Sequence, residues 1–113
     1  MSLITTHVLD TSRGRPAVGI EVALEILSGK EWKLLGNGLT DSNGRCTTLV
    51  AEDGQIVSGT YRLVFNVAPY YEVRHTETFF GKIPVVFEIA KPEAHYHVPL
   101  LISPFGYSTY RGS

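Results

Sequence analysis

The run Ile20-Glu21-Val22-Ala23-Leu24-Glu25-Ile26-Leu27 decides the fold class. Ile20, Val22, Leu24 and Ile26 fall on one side of an extended chain, with Glu21 and Glu25 on the other. That period of two belongs to a half-buried strand, not to a helix. Downstream, Trp32–Leu39 reads as its hairpin partner, and Asp41-Ser42-Asn43-Gly44 follows as a turn, since Asn and Gly tolerate positive φ. Gly59–Val67 sets Tyr61, Leu63, Phe65 and Val67 inward, and Val85-Phe87-Ile89 marks a further strand. His95–Ser103 turns Tyr96, Val98, Leu100 and Ile102 to one face, Pro104-Phe105-Gly106 makes a turn, and Tyr107–Tyr110 forms a last strand. Upstream, Leu3–Leu9 sets Ile4, Thr6 and Val8 against Thr5 and His7, and Asp10 to Ala17 is a turn-rich loop holding Gly14 and Pro16. Ala68 to Thr78 alternates poorly, and Pro69 suits a helix start, so one short helix is expected there. The chain is expected to be an all-β sandwich or barrel.

With 113 residues, the chain is expected to form a single domain over residues 1–113, without room for a separate cofactor-binding unit. So small a core leaves little volume for a deep internal cleft. A small molecule is more readily held in a groove between subunits. The net charge of -1, with no basic run, argues against non-specific nucleic-acid binding, which needs several phosphates neutralised together. The single cysteine, Cys46, excludes an intramolecular disulfide framework. Met1-Ser2-Leu3-Ile4-Thr5 lacks the basic and apolar regions of a leader peptide. No apolar run approaches the roughly 20 residues of a membrane span. A soluble cytoplasmic protein, with no membrane partner, is expected, with the peroxisome as the alternative that the lack of a Ser-Lys-Leu ending disfavours.

The face that carries chemistry lies on the strand His95–Ser103. Its outward positions are His95, His97, Pro99, Leu101 and Ser103, an unusual set for a water-facing surface. Leu3, His7 and Leu9 are the corresponding positions of the first strand. If the two strands share a sheet, His7 and His97 converge. An imidazole, with an ordinary pKa of about 6.5, can take a proton from water near neutral pH. Arg45, directly after the turn, can bind a carbonyl oxygen and stabilise an oxyanion without a metal.

Each of these residues also has a plain reading. His7 and His97 taken singly fit packed or surface histidines, and Arg45 fits a solvated turn residue. His95 and His97 share a strand face as a metal pair would, but a zinc site needs a third ligand, and none stands at a suggestive interval. His75 fits a structural or exposed place in the helix. Cys46 beside Arg45 fits a lowered thiol pKa, but a packed strand residue is the better reading. From the residues alone, the chain is a small all-β domain with a histidine-bearing face.

Four blocks then carry a family resemblance. Leu3-Ile4-Thr5-Thr6-His7-Val8-Leu9-Asp10-Thr11 with Gly14-Arg15-Pro16-Ala17 resembles the opening signature of the transthyretin-like family. Thr40-Asp41-Ser42-Asn43-Gly44-Arg45 resembles its second block, and His95-Tyr96-His97-Val98-Pro99-Leu100-Leu101-Ile102-Ser103-Pro104 its third. Tyr107-Ser108-Thr109-Tyr110-Arg111-Gly112-Ser113 is similar to its Tyr-Arg-Gly-Ser tail. Within the family, the hydrolases carry histidine, arginine and histidine where this sequence has His7, Arg45 and His97. The hormone carriers have lysine, glutamate and threonine there and lack the tail, which leaves a small-ligand carrier as the alternative.

The resemblance implies a two-sheet antiparallel β-sandwich with one short helix, assembled as a homotetramer with active sites between pairs of subunits. It also implies a cofactor-free and metal-free hydrolysis of a purine-derived substrate. The bond broken is the N1–C6 amide of 5-hydroxyisourate, and the product is 2-oxo-4-hydroxy-4-carboxy-5-ureidoimidazoline. His7 and His97 are expected to hold and activate water, and Arg45 to bind a substrate carbonyl. Tyr110, Arg111, Gly112 and Ser113 are expected to complete the substrate pocket, although chain ends usually fray.

Overall fold

The structure, a computed structural model, describes residues 3–51 and 53–113. Met1 and Ser2, on which the leader-peptide expectation partly rests, lie outside the described residues, as does Glu52. In chain order the elements are β1 (Ile4–Asp10), β2 (Arg15–Pro16), β3 (Glu21–Ser28), β4 (Glu31–Leu39), β5 (Arg45–Cys46), β6 (Gly59–Asn66), α1 (Ala68–Glu72), β7 (Lys82–Ile89), β8 (Tyr96–Ser103) and β9 (Gly106–Thr109).

They form two sheets. One runs β2-β1-β8-β9, with β5 also paired to β1, and the other runs β4-β3-β6-β7. The alternation read from the sequence explains why the two sheets stack. Val22, Leu24, Tyr61, Leu63, Phe65, Ile83 and Ile89 point inward from the second sheet, and Ile4, Val8, Leu100 and Ile102 meet them from the first. Each such side chain contributes about 1.5–3 kcal/mol by leaving water. The result is the expected all-β sandwich with one short helix.

Two details differ from the sequence expectations. The pairs are antiparallel apart from β1 and β8, which run parallel with Thr5 opposite His97 and His7 opposite Pro99. Strand periodicity gives facing, not direction, so the sequence could not show this. The helix also stops at Glu72, short of the expected Thr78. His75 takes a φ of 52°. The His75 amide bonds the Glu72 carbonyl at 3.0 Å, and the Thr76 amide bonds the Tyr71 carbonyl at 3.0 Å. That pair of bonds is the Schellman termination, with His75 in the left-handed position. His75 is therefore an exposed turn residue beyond the helix.

The end of β1 is anchored by Asp10, which is 1% exposed. Its carboxylate accepts bonds from the Ser12 hydroxyl at 2.7 Å and the Tyr70 hydroxyl at 2.7 Å. Burial pushes this carboxyl up, yet the hydrogen bonds from Ser12, Tyr70 and Arg13 outweigh it and hold Asp10 below the usual carboxylate range. Among the described residues, no helix is long and apolar enough to cross a membrane.

Candidate active site

The site is built on the face of the first sheet that points away from the sandwich core. Because side chains alternate along β1, burying Ile4, Thr6 and Val8 turns Thr5, His7 and Leu9 to that outer face. Along β8, the buried Tyr96, Val98, Leu100 and Ile102 likewise turn His97, Pro99 and Leu101 outward. The parallel register makes these two outward rows neighbours. His7 and His97 lie diagonally, two positions apart, on adjacent strands. The condition set by the sequence, that both strands share a sheet, is met.

Arg45 joins them through the turn after β4. The Asp41 carboxylate accepts bonds from the amides of Asn43 at 2.8 Å and Arg45 at 3.0 Å. The amide of Arg45 first, and that of Asn43 second, hold the exposed Asp41 below the usual carboxylate range. Gly44 has a φ of +76°, and a Cβ there would stand 2.5 Å from the Val8 carbonyl oxygen. Only glycine lets the turn lie this close to β1, where the Val8 amide donates to the Gly44 carbonyl at 2.7 Å. Arg45 then pairs directly with His7 in antiparallel register. Its side chain makes no hydrogen bond or ion pair among the described residues, so the guanidinium is free for a ligand.

The tail closes the third side. Gly112 bridges His97, its amide donating to the His97 carbonyl at 2.8 Å. The groove that results has a volume of about 510 Å³ and is lined by Thr5, His7, Arg45, His95, His97, Pro99, Tyr110, Gly112 and Ser113. That size suits a small-molecule ligand. His7, Arg45, His97, Tyr110, Gly112 and Ser113 thus come together. Arg111 does not line this groove: its guanidinium lies 4.7 Å from the Tyr96 ring centre, in a smaller apolar concavity with Val85 and Phe87.

His97 is half-buried, and burial, followed by electrostatic repulsion from Arg45, His7 and His95, holds its pKa below the ordinary histidine value. It is therefore neutral at pH 7, with a lone pair available for a proton. A neutral imidazole, a second imidazole and an unpaired guanidinium around one groove can activate water and stabilise an oxyanion. Thr5 was placed on the His7 face by the sequence but given no part. Its hydroxyl lies 2.8 Å from Nδ1 of His97 and 3.3 Å from Nε2 of His95, hydrogen-bonding both. Cys46 is buried in the core, and no three His, Cys, Asp or Glu side chains cluster as a metal site among the described residues.

Comparison with known proteins gives the same picture from another direction. A family model described as the HIUase/Transthyretin family matches residues 4–112. A 5-hydroxyisourate hydrolase of Salmonella typhi is 46% identical over 112 residues, covering 99% of this chain and 82% of that protein. The structure of the Klebsiella pneumoniae 5-hydroxyisourate hydrolase superposes with a TM-score of 0.86 at 36% identity, covering 100% of both chains. The transthyretin of Sparus aurata superposes with a TM-score of 0.89 at 29% identity, covering 99% of this chain and 97% of that one.

Proposed function

We propose, from the premise that this chain belongs to the HIUase/transthyretin family, that it is a hydrolase acting on 5-hydroxyisourate. Its relatives across bacteria carry that activity in their names at 43–46% identity. Fold alone does not separate hydrolase from carrier, since structures of both kinds superpose equally well. The observation that carries the reading is the meeting of His7, Arg45 and His97 in one groove.

In this reading, the substrate lies in the groove with its C6 carbonyl on Arg45. His97, kept neutral, takes a proton from a water held between the two imidazoles, and the hydroxide adds to C6. Arg45 stabilises the oxyanion that forms. Collapse breaks the N1–C6 bond and opens the ring, N1 receives the proton from an imidazole, and C6 becomes a carboxylic acid that ionises. Tyr110, Gly112 and Ser113 wall the groove, while Arg111 acts at a distance by tying the tail to Tyr96. Arg45 fills the electrophilic role, so the reaction needs no metal or cofactor.

The assembly in this reading is a homotetramer with sites shared between subunits. Three observations support it: the groove opens on the outer sheet face, β7 and β9 are the outer strands of their sheets, and Phe79, Phe105 and Tyr110 are 75%, 66% and 60% exposed. Light scattering on the purified protein tests it, and a monomer at micromolar concentration would overturn it.

The activity is tested optically. Freshly made 5-hydroxyisourate decays unaided in water, so its absorbance loss is compared with and without protein. The expected result is acceleration that is lost in both His7→Ala and His97→Ala with folding intact. Equal decay with and without the wild-type protein overturns the reading.

A further inference from the structure

We infer that Thr5 is a positioning residue that fixes the tautomer of His97, and that His95 is the group that orients Thr5. This rests on the hydrolase reading above, in which His97 takes the proton from water.

The geometry is specific. Thr5 and His97 stand opposite each other in the parallel register of β1 and β8, both facing the groove. Thr5 is 8% exposed, so its hydroxyl depends on protein partners rather than bulk water. Those partners are two imidazole nitrogens, Nδ1 of His97 at 2.8 Å and Nε2 of His95 at 3.3 Å.

A hydroxyl carries one proton, so between two nitrogens it donates to one and accepts from the other. If it donates to His95 Nε2, its oxygen accepts from His97 Nδ1–H. That leaves His97 Nε2 bare of a proton and available as the base. The same arrangement survives the chemical step. When Nε2 takes a proton from water, the imidazolium keeps its Nδ1–H bond to the Thr5 oxygen, and no ring or hydroxyl has to turn. The opposite arrangement places the proton on Nε2 of neutral His97, the nitrogen that should receive one. Orientation of a catalytic imidazole by a hydrogen bond at its other nitrogen is a general device, and a wrong tautomer disables the base even when the ring stays in place.

His95 is exposed, and this gives it a distinct place. It is reached by solvent, yet touches the buried side of the site through Thr5. The charged and titratable groups around His97 are His7 on β1, Arg45 on β5 and His95 ahead of β8. None of them is a carboxylate that could hold the Nδ1 proton in place of Thr5, whose backbone also hydrogen-bonds the ring and favours its protonated form.

The test uses the full chain and the variants Thr5→Val, Thr5→Ser and His95→Ala. Valine keeps the shape and the strand preference of threonine but removes the hydroxyl; serine restores it. Thermal melts report folding for each. Nitrogen-15 NMR of the imidazoles, above the pKa of His97, reports which ring nitrogen bears the proton. The expected result is an Nδ1–H tautomer at His97 in the wild type and in Thr5→Ser, with the Nε2–H form gaining population in Thr5→Val. The turnover of Thr5→Val is expected to fall about 10- to 100-fold with little change in KM, Thr5→Ser to recover most of it, and His95→Ala to lose a smaller factor. Unchanged tautomer and turnover in folded Thr5→Val would overturn the inference, and so would Thr5→Ser behaving like Thr5→Val. Wild-type turnover in His95→Ala would overturn the part assigned to His95. If the wild type fails to accelerate the reaction at all, the hydrolase reading falls, while the NMR comparison still decides whether Thr5 sets the tautomer.

Discussion

Gly112 lies flat against the ring of His97: a Cβ at position 112 would stand 2.6 Å from Cδ2 of that imidazole and 3.2 Å from Pro99. The tail therefore does more than cover the groove. It presses a hydrogen-only backbone position against the ring proposed as the base, while its amide bonds the His97 carbonyl at 2.8 Å. Gly112→Ala forces either the ring or the tail to move. A displacement near 1 Å at a reacting group commonly costs about 10²-fold. Steady-state kinetics on Gly112→Ala should show that loss in kcat, with the melting temperature nearly unchanged because residue 112 lies outside the core. Wild-type kcat in this variant would show that the tail does not set the ring.

The charge of Arg45 should be visible in the pH profile. Burial first, then Arg45, depress the pKa of His97. A depressed pKa means that the base stays neutral until the pH falls below the ordinary value of about 6.5. The acid limb of kcat/KM is therefore expected below 6.5. Removing the guanidinium favours the imidazolium, so Arg45→Gln should move that limb to higher pH. It should also lower the plateau by about 10²–10³-fold through loss of an oxyanion donor. A lowered plateau with an unmoved limb would separate Arg45 from the titration of His97.

Gly44→Ala is expected to be costly for two reasons. Its φ of +76° strains any residue with a Cβ, and that Cβ would meet the Val8 carbonyl oxygen at 2.5 Å. Together these place the destabilisation at about 1–3 kcal/mol. Because the turn also sets Arg45 beside His7, turnover should fall beyond what the lost folded fraction explains. Urea unfolding alongside kinetics measures both quantities.

Adjacent tyrosines of the helix should respond in opposite ways to loss of their hydroxyls. Tyr70 donates to buried Asp10 at 2.7 Å, so Tyr70→Phe strands a buried carboxylate oxygen and should cost about 1–3 kcal/mol. Burial, with the nearby charge of Asp10, pushes the Tyr71 hydroxyl up to about 12, and it has no partner among the described residues. Tyr71→Phe should leave the melting temperature unchanged or raised. The Asp10 contribution also has a pH sign. Its folded pKa lies below 3.8, so its stabilisation is present above that value and is lost as the pH falls through the folded value. The penalty of Tyr70→Phe should shrink in acid melts.

The sequence was legible where one physical rule acts alone. Alternation placed Tyr61, Leu63 and Phe65 inside and set His7 and His97 on the outer face, and the Asn43-Gly44 turn fell where it was expected. The helix end was not legible, because His75 takes the left-handed position of the terminating turn, a place that glycine or asparagine usually signals and histidine does not. Nor was the parallel pairing of β1 with β8, on which the meeting of His7 and His97 depends, since alternation carries no direction. The role of Thr5 was within reach: it shares the face of His7, and a buried hydroxyl there needs a partner. The turn of Arg111 toward Tyr96 gives no local signal, because a four-residue tail has too few contacts to fix its facing in advance.

The parallel pairing of β1 and β8 has a consequence for how the protein is made. Thr5 and His97 are 92 residues apart, so the site cannot be complete until nearly the whole chain has left the ribosome. Contacts of such long range are reached late and slowly. A newly made chain should therefore acquire far-UV β signal from β3, β4, β6 and β7 before its ability to turn over substrate, and synthesis arrested ahead of Tyr96 should yield a chain that lacks His97 and the core-facing Val98, Leu100 and Ile102, with no closed sandwich and no turnover.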